Sequence, residues 1–273
     1  MTNDRFDEFL AMHRGDAPLV MPNPWDAGTA KLFASLGFRA LATTSSGFAA
    51  TLGRKDGSVT RDEALAHAAA VAAATDLPVN GDFENCFSDT ADGVAETVRL
   101  ATATGIAGCS IEDFDPVTAD MYEIGRAVER VTAAAEAAHG STARLVLTAR
   151  AENFVHGRTD LADTITRLQA YQAAGADVAY APGITTAGDI RAVVGALDVP
   201  VNVLALPGVP PVATLAEIGV ARVSVGGGLA WAAYGAITAA ARELLDAGTY
   251  GYVTLMAEGR NAARAAFARQ PST

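Results

Sequence analysis

Short runs of β-branched and other apolar residues alternate with longer alanine-rich stretches along nearly the whole chain. The longer stretches have helical spacing: within 90–104, Val94, Val98 and Ala101 recur on one face at i, i+4 and i+7. Several of these stretches end in a glycine just before the next apolar run, which is typical of a left-handed helix cap. Strand followed by helix, repeated many times, indicates a parallel sheet with crossover helices.

The pattern predicts eight strands, each followed by a helix. Eight such units in about 230 residues match the size and order of a (β/α)8 TIM barrel, whereas an open doubly wound sheet does not usually need so many. No Ser- or Pro-rich linker interrupts the series, so we expect one barrel domain over 1–273. The predicted strands are 19–21, 40–44, 78–82, 108–112, 145–150, 178–181, 201–204 and 222–226.

Two further helices are predicted outside the eight repeats. One covers about 5–13, before the first strand, and the other covers about 254–268, after the breaks at Gly248 and Gly251. A helix that remains once a barrel is complete must dock or fray. Its apolar positions favour docking; they are Leu255, Ala262, Ala266 and Phe267.

Composition and charge exclude several classes of protein. The 20 Lys and Arg residues are scattered and the 31 Asp and Glu residues outnumber them, giving a net charge of −11 that argues against nucleic-acid binding. The apolar runs are far shorter than the roughly 20 residues of a membrane-spanning helix, and no secretory signal opens the chain, so we expect a cytoplasmic protein. The two cysteines fit neither a disulfide framework nor a zinc pattern.

Charged side chains gather where three predicted strands end. Asp82 and Glu84 follow the third strand, Glu112 ends the fourth and Arg150 ends the fifth. In a TIM barrel these positions meet at one mouth, which is where such barrels carry their active sites. Carboxylates brought together there raise each other's pKa unless a cation lies among them.

The oxygen-only donor set, without histidine, indicates Mg²⁺ or Mn²⁺. Asp82 is the best direct ligand, and Glu84 and Glu112 could hold metal-bound waters. The alternative is that these carboxylates only cap the following helices or pair with arginines on the rim.

Six segments at the predicted strand ends resemble a known family. They stand in the order found in the isocitrate lyase and phosphoenolpyruvate mutase superfamily, and the resemblance extends from about 22 to 241. The segments are NPWDAG (23–28), GFRALATTSSG (37–47), LGRKDG (52–57), LPVNGDFE (77–84), SIED (110–113) and LTARAE (147–152).

The resemblance implies a barrel of that type and a role for each matching residue. Asp82 matches the direct Mg²⁺ ligand, Glu84 and Glu112 match residues on metal-bound waters, and Asp56 matches an acidic residue on the loop after the second strand. Arg150 matches the arginine that faces the substrate, and we assign Arg150 and Asp56 to catalysis. The residues assigned to binding of the carboxylate substrate are Ser45, Ser46, Gly47, Trp25 and Asn202. The implied chemistry is a metal-stabilised enolate of a 2-oxo acid.

The loop 114–122 departs from the specialised branches of the superfamily. It reads FDPVTADMY, so it lacks both the Lys-(Lys/Arg)-Cys-Gly-His motif of the isocitrate lyases and the Lys and Asn-Ser of the mutases. Without these motifs, the sequence resembles the less specialised branch of the superfamily, which contains oxaloacetate decarboxylases, acetylhydrolases and uncharacterised members.

We therefore expect an Mg²⁺-dependent carbon–carbon lyase acting on a small 2-oxo or 2-hydroxy carboxylic acid. The alternatives are a phosphoenolpyruvate or phosphonopyruvate mutase or hydrolase, and a non-catalytic barrel that binds a metabolite. The proton donor is open. His156 is a candidate acid or base, and Cys86 is a candidate nucleophile only if its thiol pKa is depressed.

Two further expectations follow from the family resemblance. The loop 114–122 occupies the place of the family's gating loop and is expected to act as a lid. Terminal helices are exchanged between subunits in the family, so we expect a homo-oligomer, in particular a tetramer, whose stability depends on the helix 254–268.

Overall fold

The computed structural model describes residues 4–140 and 142–268, and the described chain folds as the predicted (β/α)8 TIM barrel. Eight parallel strands form the barrel. They are β1 (Leu19–Met21), β2 (Leu41–Ala42), β3 (Val79–Asp82), β4 (Gly108–Glu112), β7 (Val146–Arg150), β8 (Val178–Tyr180), β9 (Val201–Leu204) and β10 (Arg222–Ser224). These strands pair in the order β1-β10-β9-β8-β7-β4-β3-β2. A hydrogen bond of 3.1 Å from Ala42 N to Pro22 O joins the first and last strands of this order.

Two strands are shorter than the sequence predicts by two residues or more. The strand expected over 40–44 ends at Ala42, because Thr44 caps the next helix by accepting a 3.3 Å hydrogen bond from Gly47 N. The strand expected over 222–226 ends at Ser224, and Gly226 then turns the chain with φ +50°. At both places local turn chemistry ends the strand before its apolar pattern does.

A two-stranded antiparallel hairpin, which the sequence did not predict, follows β4. It pairs β5 (Phe114–Asp115) with β6 (Asp120–Met121) within the predicted lid loop. Ala119, with φ +54°, lies in the turn that connects the two strands.

Helices surround the strands and continue beyond them at both ends of the chain. The helices at the two ends, expected over about 5–13 and 254–268, cover Asp4–Met12 and Val253–Phe267. The helices are α1 (Asp4–Met12), α2 (Ala27–Ser35), α3 (Ser45–Thr51), α4 (Arg61–Ala73), α5 (Ala91–Thr102), α6 (Ile124–His139), α7 (Leu161–Ala173), α8 (Ala187–Gly195), α9 (Val212–Ile218), α10 (Gly228–Asp246) and α11 (Val253–Phe267).

Helix α1 closes the amino-terminal end of the barrel. Phe6 and Phe9 are buried in a small cluster together with residues from the beginnings of the strands, including Val146 and Val178. Arg5 donates a 2.9 Å hydrogen bond to Gly105 O, just before β4 begins. Helix α1 therefore covers the barrel at the amino ends of the strands.

Helices α10 and α11 contrast with the other described helices because each has a single buried residue, Ala230 in α10 and Ala266 in α11. The apolar side chains of α10, and several on α11, lie on the surface. Within 4–140 and 142–268, no helix has the length and apolar character needed to cross a bilayer.

Candidate active site

A cavity of about 500 Å³ opens at the carboxyl ends of the strands. Its volume lies within the range of small-molecule sites. It brings together most of the residues that the sequence singled out, namely Ser45, Ser46, Asp56, Asp82, Glu84, Glu112, Arg150 and Asn202.

The Arg150 guanidinium lies among three carboxylates. Its Nη1 is 2.8 Å from Glu112 Oε1 and 3.2 Å from Asp82 Oδ1, and its Nε donates to Glu152 Oε1 at 2.6 Å. Burial alone would lower the pKa of Arg150, but Glu112, Glu152 and Asp82 raise it well above its usual value. The guanidinium is therefore a permanent cation with fixed orientation at the cavity wall.

Asp82 ends β3 and is held from both sides. Its Oδ2 accepts a 3.1 Å hydrogen bond from Ser45 N, at the beginning of α3. Its Oδ1 accepts from Ser110 Oγ at 3.3 Å in addition to the contact with Arg150. Because a carboxylate oxygen has two lone pairs, Oδ2 keeps one for another ligand.

Glu84 follows in a turn with unusual backbone geometry. Its φ is +50°, and Cys86 and Phe87 also have positive φ, a strained conformation for residues other than glycine. Arg130 on α6 is buried and holds this turn, donating to Asn85 O at 2.5 Å and to Ser88 O at 2.8 Å. The fold thus keeps Glu84 facing the cavity at a cost in backbone strain.

Four carboxyl groups of the cavity have raised pKa values. Burial, followed by the charges of Asp82 and Asp56, raises the pKa of Glu84 to about 8. Burial is also the first cause of the raised pKa values of Asp56, Glu112 and Glu152. Like charges in a poorly solvated site attract a cation, so the electrostatics of the cavity favour a bound metal.

The donor set fits a magnesium ion that retains much of its water. Among the described residues, no group of three His, Cys, Asp or Glu side chains is arranged to hold a metal by itself. Mg²⁺ does not need such a cage, because it keeps several waters and takes one or two carboxylates directly. Asp82 has a lone pair free, and the Glu84 carboxylate has no hydrogen bond from the described part of the chain.

Two predicted substrate-binding residues do not line the cavity. Gly47 is buried and its amide already donates to Thr44 Oγ1. Trp25 packs edge-on against Phe33 with ring centroids 6.4 Å apart, and a Cβ on Gly47 would lie 3.3 Å from Trp25 Cβ. In the described structure Trp25 and Gly47 lie outside the cavity lining, and their assignment to substrate binding stays a prediction.

Several cavity residues were absent from the predicted set. Glu152 and Ser110 stood in the strand-end segments but were given no role, and Tyr180 and Arg222 lie inside strands. The sequence feature that indicates such a residue is a polar side chain at an inward position of an otherwise apolar strand. Arg222 is an example, because it lies in the mainly apolar segment 220–225.

The hairpin and the loop after β7 contact each other above the cavity. The Phe114 ring of the hairpin stacks on His156 with centroids 3.4 Å apart and planes 4° apart. Arg158 forms an ion pair with Asp120 on the second strand of the hairpin. Burial and the charge of Arg150 lower the pKa of His156, so its imidazole is mainly neutral near neutral pH.

Cys86 does not meet the condition for a nucleophile. It is fully buried, and burial raises the pKa of its thiol to about 12. A thiol of that pKa is protonated at neutral pH and inert.

The barrel and its acidic, arginine-bearing mouth together define a member of the phosphoenolpyruvate mutase and isocitrate lyase superfamily. More narrowly, the family model for phosphoenolpyruvate phosphomutase matches residues 9–245, and the chain belongs to that family. Members of the superfamily are enzymes, lyases among them.

Three relatives place the chain within this group. A protein of Burkholderia cenocepacia J2315, described only as a lyase or mutase, is 47% identical with a TM-score of 0.93, covering 98% of this chain and 97% of that one. An uncharacterised protein of Mycobacterium tuberculosis is 32% identical over 220 residues, 80% of this chain and 81% of the relative.

The third relative, 2,3-dimethylmalate lyase, has a named activity. The Eubacterium barkeri protein of that name is 33% identical over 171 residues, 59% of this chain and 57% of the relative. A crystal structure of 2,3-dimethylmalate lyase is 26% identical with a TM-score of 0.80, covering 90% of this chain and 89% of that one.

Proposed function

We propose that the protein is an Mg²⁺-dependent carbon–carbon lyase acting on a small 2-oxo or 2-hydroxy carboxylic acid through an enolate. The observation that carries the proposal is the Arg150 guanidinium, held by Asp82, Glu112 and Glu152 beside the additional carboxylates of Asp56 and Glu84. An arginine and a carboxylate set for a divalent cation suit a reaction that develops negative charge on a substrate oxygen.

Asp82 would hold the metal directly, and Glu84 and Glu112 would hold it through water. When bound, Mg²⁺ supplies a Lewis acid that lowers the cost of negative charge on the substrate oxygen. Mn²⁺ suits the same oxygen donors.

Arg150 is the protein's own group for stabilising that charge. Its carboxylate partners fix the guanidinium before substrate arrives, so little reorganisation is needed as the charge develops. Asn202 and the Ser46 hydroxyl also line the cavity and are suited to orient a carboxylate. Asp56, whose pKa is raised by burial, is placed to hold or move a proton at the mouth.

Carbon–phosphorus chemistry on phosphonopyruvate is the alternative that family membership keeps open. The hairpin region 114–122 carries acidic charges at Asp115 and Asp120 and no Lys or Arg. The hairpin therefore offers no cation to balance the additional charge of a phosphonate group, which favours the carbon–carbon reaction.

A substrate panel tests the proposal. Purified protein with Mg²⁺ is incubated with 2-oxo and 2-hydroxy acids of three to six carbons and followed by proton NMR, with a phosphonopyruvate sample followed by phosphorus NMR. We expect a panel member to be cleaved into two carbon fragments and the reaction to stop when the metal is chelated. Turnover of phosphonopyruvate alone would replace the proposal by its alternative.

A further inference from the structure

A second arginine lies deep in the same cavity, in a different environment from Arg150. Arg222, the first residue of β10, is 3% exposed and lines the cavity. Its Nε donates to Asn202 Oδ1 at 3.0 Å and its Nη2 to Thr148 Oγ1 at 3.0 Å. Its Nη1 lies 3.2 Å from His13 Nε2.

All three partners of Arg222 are neutral. His13 Nδ1 is 2.8 Å from Phe9 O, so this nitrogen carries the hydrogen and Nε2 is the acceptor that faces the guanidinium. No carboxylate of the described chain forms an ion pair with Arg222, whereas Arg150 on the same wall contacts three. A buried charge without a counter-charge is costly, and burial lowers the pKa of Arg222 to about 10, which still leaves it cationic at neutral pH.

The guanidinium has hydrogen-bonding capacity left. Of its five N–H groups the three contacts engage one on each nitrogen, so one N–H remains on Nη1 and one on Nη2. His13 belongs to the end of the chain segment that closes the bottom of the barrel, so Arg222 forms part of the cavity floor. These two N–H groups are available to a ligand, and the two oxygens of a carboxylate are suitable acceptors.

Among the described residues, one polar atom of the cavity wall on β3 has no hydrogen-bond partner. Asn80, 4% exposed, has a buried Oδ1 without a donor among the described residues. Asn80 therefore adds one acceptor oxygen to the cavity wall, which suits a hydroxyl group or a water molecule rather than a carboxylate.

The two cavity arginines lie in one register row across neighbouring strands. Arg222 pairs with Asn202, Asn202 with Tyr180, and Tyr180 with Arg150. A ligand touching both guanidiniums passes over the Tyr180 and Asn202 side chains, and both of these line the cavity. A small molecule with two separated anionic groups has the required form.

We propose that Arg222 anchors an anion subsite at the cavity floor that takes one carboxylate group of the substrate. This inference rests on the proposed function, in which one carboxylate of the substrate lies near Arg150 and the metal. The second carboxylate then lies on Arg222, and the substrate is a dicarboxylic acid. Monocarboxylic acids such as lactate lack the second group.

The first test needs no metal. Thermal unfolding of the metal-free protein is measured with succinate and with sodium chloride at equal ionic strength. Succinate binding to the native state raises the Tm of the parent, while Arg222→Met loses this rise. Arg99→Met, a change of the same charge on an exposed helix position, keeps it. No rise in the parent, an equal rise with chloride, or a rise that persists in Arg222→Met overturns the subsite.

The second test compares malate with lactate, which differ by the distal carboxylate, by calorimetry in the presence of Mg²⁺. We expect malate to bind the parent at least tenfold more tightly than lactate, and the ratio to fall below about threefold in Arg222→Met. Arg222→Lys keeps the charge and retains an intermediate ratio even if the methionine variant folds poorly. A ratio unchanged in both variants contradicts the proposal. Oxalate mimics an enolate, so failure of Mg²⁺ and oxalate to bind together contradicts the proposed function instead. The succinate experiment still decides whether the Arg222 subsite exists.

Discussion

Arg150 and Glu112 lie directly opposite each other on neighbouring parallel strands, with Arg150 Nη1 2.8 Å from Glu112 Oε1. The pairing places a cation inside the group of carboxylates before any metal or substrate is present. The proton remains on Arg150, because its carboxylate partners raise its pKa further. The cavity is therefore acidic in composition yet presents a fixed positive group to a developing oxyanion.

Replacing Arg150 by lysine tests that role. Lysine keeps the charge but loses the planar fork that contacts Glu112 and Glu152 together, so we expect kcat to fall by on the order of 10² or more. Turnover of the substrate found in the panel is the measurement, with Arg99→Lys on the outer surface as the matched control. Near-parent kcat in Arg150→Lys would refute the role.

The variant Asp82→Ala tests the proposed metal site. The variant removes the carboxylate that we propose as the direct ligand, leaving residues that act through water. We expect calorimetry to show loss of Mg²⁺ binding while circular dichroism shows an intact fold. The exposed Asp92, changed to Ala, controls for the loss of one negative charge. Mg²⁺ binding of parental affinity by Asp82→Ala would show that the metal is held elsewhere.

The barrel could be predicted from sequence because alternation of strand and helix patterns is local, and the strand ends follow from it. The charged residues at those ends, such as Asp82 and Arg150, could be assigned to one mouth by topology alone. The ion pairs between these residues could not be predicted, because they depend on the register of neighbouring strands. Glu112 aligns with Arg150 only once β4 and β7 are paired.

Other features required the packed structure. Trp25 and Gly47 belong to two of the segments near the mouth, yet neither lines the cavity. Trp25 packs against Phe33, and Gly47 packs against Thr44. Arg222 stands alone between apolar residues, and its significance lies in neutral partners up to 209 positions away, which no local pattern contains.

The hairpin is expected to open and close over the cavity. Its described contacts with the neighbouring loop include the stacking of Phe114 on His156 and the ion pair of Asp120 with Arg158, and both partners are surface loop groups. Surface ion pairs contribute little on their own, so the contacts are expected to break readily without ligand. We predict that Mg²⁺ with oxalate slows proteolysis within 114–122, and that Arg158→Gln reduces this protection. Equal cleavage with and without ligand would count against a lid.

His13 gives the fold an acid sensitivity that can be measured. Burial, followed by the charge of Arg222, lowers the pKa of His13 to about 3. The unfolded chain binds a proton at this histidine below its usual pKa of about 6.5 while the native state does not, so stability falls as pH falls from 6.5 towards 3. One proton changes stability by about 1.4 kcal/mol per pH unit, or about 2 kcal/mol between pH 6.5 and 5.

Urea unfolding of the parent and of His13→Gln at pH 8, 6.5 and 5 measures this contribution. Glutamine retains a hydrogen-bonding side chain but does not titrate, so the parent should lose about 2 kcal/mol more than the variant between pH 6.5 and 5. Between pH 8 and 6.5 the two proteins should change alike. Parallel curves over the whole range would show that His13 has the same pKa in the native and unfolded states.

Finally, the outer surface of α10 and α11 indicates assembly, and we propose a homo-oligomer, in particular a tetramer. Trp231 is 51% exposed, Ile237 65% and Leu245 84%, an apolar surface that a monomer would leave in water. A second copy can cover the same face of its partner about a two-fold axis. Light scattering should give a multiple of the 27.9 kDa chain, and a chain ending at Ala247 should give a smaller assembly with parental helix content. Ile237→Asp should weaken the assembly without shortening the chain. A monomeric full chain, or an unchanged mass in both variants, would exclude an interface built on these helices.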